Sequence, residues 1–172
     1  MDIRDELIEH VPRLRRYARA LIHNRELADD LVQDTLERAL GRSGQFRLGT
    51  DLRAWLFTIM HNVFVNQVRQ SSARGAHVSV DDETVPETDY AVPASQLGTL
   101  EVRDLDYALQ RLPGEQREVV LLVGLEEMSY AEVAQALDIP IGTVMSRLSR
   151  GRERLRALMA GAAPRANLKV VR

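Results

Sequence analysis

Along most of this chain apolar positions recur every three or four residues, the period of helices packed on one side. Ile3, Leu7, Val11, Leu14, Ala18 and Leu21 give residues 3–22 one apolar face. Pro12 lies either in the first turn of a second helix or at a kink in a single one. Asn24 is the expected N-cap of a helix from Arg25 to Leu40, with Gly41 as its left-handed stop and Leu27, Leu31, Leu36 and Leu40 on its apolar side. Thr50 or Asp51 caps a long helix whose core face is Leu52, Trp55, Leu56, Ile59 and Val63. Thr58, Asn62, Val65, Asn66 and Arg69 line another side of it. From Ser71 to about Ala94 the period disappears into Ser, Thr, Asp, Glu and Pro, which reads as a linker. Helical spacing resumes with Leu97, Leu100, Leu105, Leu109 and Leu112. Pro113 begins a further helix carrying Val119, Val120, Leu122 and Val123, and Gly124 ends it.

The stretch from Leu112 to Arg156 carries the sharpest local pattern. Ser129 and Glu132 have capping-box spacing, which predicts reciprocal bonds between each side chain and the other's amide. Val133, Ala134 and Leu137 give the short helix after them an apolar face. Asp138-Ile139-Pro140-Ile141-Gly142 then breaks it, because Pro140 disfavours helical geometry at Ile139. A second helix starts at about Ile141, buries Val144, Leu148 and Leu155, and turns Ser146, Arg147, Ser149 and Arg150 elsewhere. Helix, tight turn and arginine-bearing helix make the pattern of a DNA-reading helix-turn-helix.

Charge sharpens that reading. The whole chain carries -2, but five arginines face one glutamate between Thr143 and Arg156. Residues 1–70 sum to +1, residues 71–106 to -6 and residues 107–172 to +3, so the acid is concentrated in the middle and both ends can approach a polyanion. A linker of 24 residues, at roughly 3.4 Å each, spans on the order of 80 Å. The 172 residues suit one domain or two small ones, and 45% hydrophobic content fits a globular chain. With no cysteine there is no disulfide, thiolate metal site or cysteine nucleophile. No apolar run approaches the ~20 residues of a membrane span, and the charged N-terminus lacks a signal segment, so a cytoplasmic protein without membrane insertion is expected.

Candidate chemistry is sparse. His10, His23, His61 and His77 stand singly, with no nucleophile or metal spacing around them, so no catalytic residue, metal site or cofactor is assigned. Asp29, Asp30, Gln33, Asp34 and Glu37 crowd one helix without a converging ligand and read as a solvated or partner-facing surface. Amides and an arginine beside aromatics, as along 55–69, suit unstacked single-stranded bases, although Trp55, Phe57 and Phe64 are expected mostly in the core.

In order, DDLVQDTLERAL at 29–40, FRLGTDLRAWLFTIMHNVFVNQVR at 46–69 and the block from Leu112 to Arg156 resemble bacterial sigma factors of the extracytoplasmic-function type. The run at 49–62 looks like the subgroup that includes general-stress sigma factors. The resemblance implies an all-α fold: a region 2 domain at 1–70, a flexible acidic linker at 71–95, a region 4 helix-turn-helix domain at 96–160 and a tail at 161–172. It implies that Asp30, Leu31, Gln33 and Asp34 dock on the β′ clamp helices of core RNA polymerase, with the β flap as a second contact. Phe46, Asn62 and Arg69 would hold the opened -10 element of promoter DNA, and Ser146, Arg147, Ser149 and Arg150 would enter the -35 element. Met145 departs from the Arg or Lys of many relatives, which leaves one contact in question. An anti-sigma factor is an implied partner, and a stress or envelope regulon the implied target.

Three other readings compete. A LuxR-type regulator would need an N-terminal domain of alternating strands and helices, which the all-helical pattern opposes. A sigma mimic that sequesters a protein partner would have no use for the arginines of the reading helix. An enzyme finds no support among the scattered histidines.

Overall fold

The computed structural model describes residues 2–73 and 98–167, apart from the side chains of 98–100 and 162–167. Seven α-helices and one 3-10 turn account for the regular structure of those residues: α1 Ile3–Leu21, α2 Arg25–Gly41, the turn Ser43–Gln45, α3 Leu52–Ala73, α4 Gly98–Gln110, α5 Gly114–Gly124, α6 Tyr130–Leu137 and α7 Ile141–Asn167. Most of the acidic linker, and with it Leu97 and His77, falls outside the described residues. At its start, Ser71 to Ala73 continue α3; at the other end, α7 runs into the expected tail as far as Asn167.

Side-chain caps set several helix starts. The Asn24 Oδ1 accepts from the Leu27 amide at 3.1 Å, and the Asp51 Oδ1 accepts from the Arg53 amide at 3.0 Å. Asp51, rather than Thr50, therefore caps α3. Pro12 sits inside one continuous α1. Gly41 is not a left-handed stop: it belongs to α2, whose C-cap is Arg42 at φ -111. The apolar face of α2 also lies elsewhere than the leucines suggest. Ala28, Leu31, Val32, Thr35 and Ala39 are buried, whereas Leu27 and Leu40 are exposed. Small residues face inward because α2 lies between α1 and α3, and Thr35 tolerates burial by donating to the Leu31 carbonyl at 2.7 Å.

Leu7, Leu14, Tyr17, Ala18 and Leu21 of α1 meet that face, as do Leu52, Leu56, Phe57, Ile59, Met60 and Val63 of α3. Phe57 is core, with Tyr17 packed edge-on against it at 5.0 Å, while Trp55 and Phe64 are only half-buried. In the second half, α7 packs on α4, α5 and α6 through Val144 and Leu148. Leu155 is half-buried, and Leu105 remains exposed. Gly151 lets α7 approach α5 closely: a Cβ there would lie 2.7 Å from the Val120 Cγ2.

The two halves share one apolar core, and a set of charged groups closes over it. Arg117 of α5 is 4% exposed and donates to the carbonyls of Leu109, Gln110 and Leu112 at 2.8 Å, and to that of Leu21 in α1 at 3.0 Å. Gln110 donates to the Ala20 carbonyl at 2.9 Å, and His61 of α3 pairs with Glu118 of α5 at 2.7 Å. The Glu126 side chain is fully buried, with its Oε2 3.3 Å from Arg13 Nε and its Oε1 3.5 Å from Arg16 Nη2. The Arg13 approach is close enough for ionic attraction but is misaligned for a hydrogen bond, so Oε2 has none. Burial pushes the Glu126 carboxyl above its ordinary range, and Arg16 and Arg13 offset only part of the rise.

Candidate nucleic-acid interface

Two faces carry the residues that the sequence singled out. The first is the outer stripe of α3. Asn62 and Arg69 are exposed and seven residues apart, and Val65 and Asn66 lie between them. All four line a cleft of about 430 Å³ together with Arg38, Arg42, His61, Leu137 and Asp138. One wall is α3 and another is the C-terminal end of α2, and the Gln67 amide fixes their spacing by donating to Asp34 at 3.0 Å. Leu137, the last residue of α6, and Asp138, its cap, belong to the helix-turn-helix, so the second half of the chain covers part of this face.

Phe46 does not line that cleft. It is half-buried against Trp55, with ring centroids 5.2 Å apart. Trp55 and Asn62 are two helical turns apart on one stripe of α3, or about 10 Å along its axis. Phe46 and Asn62 are thus neighbours on one surface rather than parts of one pocket.

The second face is the start of α7. Ser129 Oγ accepts from the Glu132 amide at 3.1 Å, which is half of the expected capping box. The reciprocal half is absent because the Glu132 carboxylate turns to Arg53 of α3, at 3.4 Å. Arg53 also donates to the Glu126 carbonyl at 2.9 Å. Asp138 ends α6 in the left-handed region at φ 54, ψ 52, and α7 begins three residues later. Met145, Ser146, Ser149 and Arg150 are exposed, and the Ser146 hydroxyl donates back to the Thr143 carbonyl at 3.1 Å. Arg147 is half-buried and held 3.6 Å from Glu115 of α5, a tie weakened by the exposure of Glu115.

The surface expected to meet polymerase is only partly a surface. Asp30 and Gln33 are exposed, Gln33 donating to Glu37 at 3.4 Å, and Asp34 is engaged by Gln67. Leu31 is 0% exposed and belongs to the core, so it cannot dock a partner from this conformation. Sequence reasoning missed the groups that join the halves: Arg13, Arg16, Arg53, Arg117, Glu118 and Glu126. Their types look like ordinary solvated charges, and nothing in their local spacing marks Arg117, Glu118 and Glu126 as buried or Arg13, Arg16 and Arg53 as their neighbours across the halves. No helix among the described residues is long and apolar enough to cross a membrane.

Residues 7–61 match the family model described as the sigma2 domain of PhyR, and residues 103–155 match that of sigma-70 region 4. The chain is 40% identical, over 157 residues, to the ECF RNA polymerase sigma factor EcfG of Rhodopseudomonas palustris, covering 91% of this chain and 84% of that one. It is 36% identical over 168 residues to the ECF sigma factor SigE of Mycolicibacterium smegmatis, covering 91% of this chain and 61% of the relative. Among solved structures it resembles the sigma factor RpoE of Bartonella quintana, crystallised with the anti-sigma factor NepR. The TM-score is 0.76 at 40% identity, covering 92% of this chain and 97% of that one. A score of that size over both halves requires them to superpose together, so the relative shares the arrangement of its halves as well as the fold of each. The chain belongs to the extracytoplasmic-function family of RNA polymerase sigma factors.

Proposed function

We propose that this sigma factor grips promoter DNA at two points. α7 enters the -35 element as duplex, with Ser146, Arg147, Ser149 and Arg150 toward the groove. The outer stripe of α3 holds one strand of the opened -10 element through Asn62 and Arg69, with Phe46 beside Trp55 as an aromatic platform. The observation that carries this reading is the pairing, in one chain, of an exposed amide-and-guanidinium stripe on α3 with an exposed arginine-bearing helix-turn-helix. Duplex binding begins with phosphate attraction, and a few side chains then select sequence. Opening costs a few kcal/mol per extruded base, which contacts to the unstacked base offset in part.

Asp30 and Gln33 on the exposed side of α2, with Asp34 beside them, are the groups offered to the clamp helices of core polymerase. The two domains take the extents 1–70 and 96–160, with the acidic linker between them letting them separate on DNA. An anti-sigma protein restrains the chain, as NepR accompanies the Bartonella relative. It works in the cytoplasm on a stress or envelope regulon and performs no covalent chemistry.

Arg150→Ala weakens duplex binding at the -35 element by about 1–3 kcal/mol if Arg150 reads a base. Asn62→Ala leaves that binding intact and lowers the permanganate reactivity of -10 thymines in the holoenzyme complex. Loss of both properties in the Asn62 variant, with its fold preserved, would contradict the division of labour.

A further inference from the structure

The outer side of α7 holds a group to which the two-point grip gives no part. Met145 is 48% exposed, and Ile141, one turn before it, is 46% exposed. Among the described residues these are the large apolar side chains that α7 leaves in water. Both lie near its start, the part of a reading helix that meets base edges. The packing of α7 is carried instead by Val144, Leu148 and the close approach at Gly151, so Met145 is not needed as core. Its polar neighbours are partly committed elsewhere. The Ser146 hydroxyl donates to the Thr143 carbonyl at 3.1 Å, and the half-buried Arg147 is drawn to Glu115. Ser149 follows Met145 by one turn on the same side, with Arg150 beside it, and both are exposed. The exposed stripe therefore runs from apolar, at Ile141 and Met145, to polar, at Ser149 and Arg150.

The edges of bases in the major groove are mostly donors and acceptors, and the methyl group they offer is that of thymine. An exposed thioether has no hydrogen bond to give such an edge, but its unbranched, polarisable chain can close over a methyl. We propose that Met145 is a specificity-determining residue for the -35 element. Its side chain packs on a thymine methyl and selects a T·A pair beside the base pairs read by Ser149 and Arg150. This rests on the -35 reading of α7 given above and extends it to a residue that makes no polar contact.

The test uses the holoenzyme, formed from core RNA polymerase and the full chain, on duplexes that it enriches from a library randomised across the -35 element. Each thymine of the enriched element is replaced in turn by deoxyuridine, which removes the methyl and keeps the hydrogen-bonding edge. At one position this weakens binding about fourfold, the worth of one methyl taken out of water. Met145→Ala weakens binding to the thymine duplex by a similar factor and abolishes the difference between thymine and deoxyuridine there. Met145→Leu keeps most of that difference, because it keeps the apolar surface. Thermal melting of each variant confirms that the exposed position leaves the fold intact. A deoxyuridine effect of equal size in Met145→Ala and its parent, or no methyl-sensitive thymine at all, overturns the assignment. If Arg150→Ala still weakens binding in that case, the -35 reading of α7 stands. Binding indifferent to both Met145→Ala and Arg150→Ala overturns the two together.

Discussion

Glu126 is the group on which the contact between the halves can be tested most sharply. Its side chain is fully buried, while Arg13 and Arg16, its partners on α1, keep 41% and 55% of their side-chain surface. Removing both arginines gives up some half-buried side-chain surface and, more importantly, leaves the desolvated carboxylate with only Arg53 to offset its burial. A fully buried pair broken in this way loses about 3–5 kcal/mol. Solvent screening of the half-exposed arginines, and the long contacts, reduce this to about 1–3 kcal/mol. That shifts the balance between closed and parted halves by roughly 5- to 150-fold. The chain has no native cysteine, so dyes at Glu26→Cys in α2 and Glu153→Cys in α7, both exposed, report the separation by energy transfer. Arg13→Ala/Arg16→Ala lowers the transfer at neutral pH. The same pair of changes in a Glu126→Gln background has little effect, because no buried charge is stranded. The pH dependence has a definite sign. The Glu126 carboxyl is raised in the closed form, and rises further without its arginines. The closed form is therefore favoured by protonation: its stability is fully present below the ordinary carboxyl range and is lost as pH rises through the raised value. Acidification thus restores transfer in the arginine-less variant. Equal loss of transfer in the Glu126 and Gln backgrounds would show that the arginines act through packing alone and would refute the electrostatic argument.

Two further changes probe the second half. Arg117→Met strands four carbonyls that now accept from one buried guanidinium, and it lowers stability by about 3–5 kcal/mol by chemical denaturation, the C-terminal helices first. Gly151→Ala drives a methyl to within 2.7 Å of Val120, so overpacking of about 1–3 kcal/mol outweighs the gain in helix propensity of roughly 1 kcal/mol. Val120→Ala in the same chain restores most of the loss, and a Gly151→Ala protein as stable as its parent would show that α7 can shift freely on α5.

Much of the architecture was legible because it rests on local chemistry. Asn24, Ser129 and the Asp138–Pro140 break are rules of single turns, and they set the helices where expected. Strong periodicity placed most of the inner faces of α1 and α3, although Tyr17 and Met60 are buried outside the expected stripes and Trp55 is only half-buried. α2 misled because its leucines were read as its core stripe, whereas a helix between two others packs through small residues, and Ala28, Thr35 and Ala39 carry little hydropathic signal. Leu31 was assigned to a docking surface on resemblance while its burial depended on which way α2 faces. The capping box was half right: Ser129 obeyed its local rule, and Glu132 was drawn away by Arg53, about 80 positions earlier in the chain. Pairings at that distance have no sequence period, which is also why Glu126, held by Arg13 and Arg16, and Arg117, bonded to Leu21, looked like ordinary surface charge.

The central claim is that this chain directs polymerase to promoters through two separate grips on DNA. Core RNA polymerase reconstituted with the full chain, and presented with a library of promoter fragments, tests it in one run-off transcription measurement. Specific transcripts are expected from templates that share two upstream elements, and Asn62→Ala with Arg150→Ala abolishes them. Transcripts from no template, or transcripts indifferent to both substitutions, would contradict it.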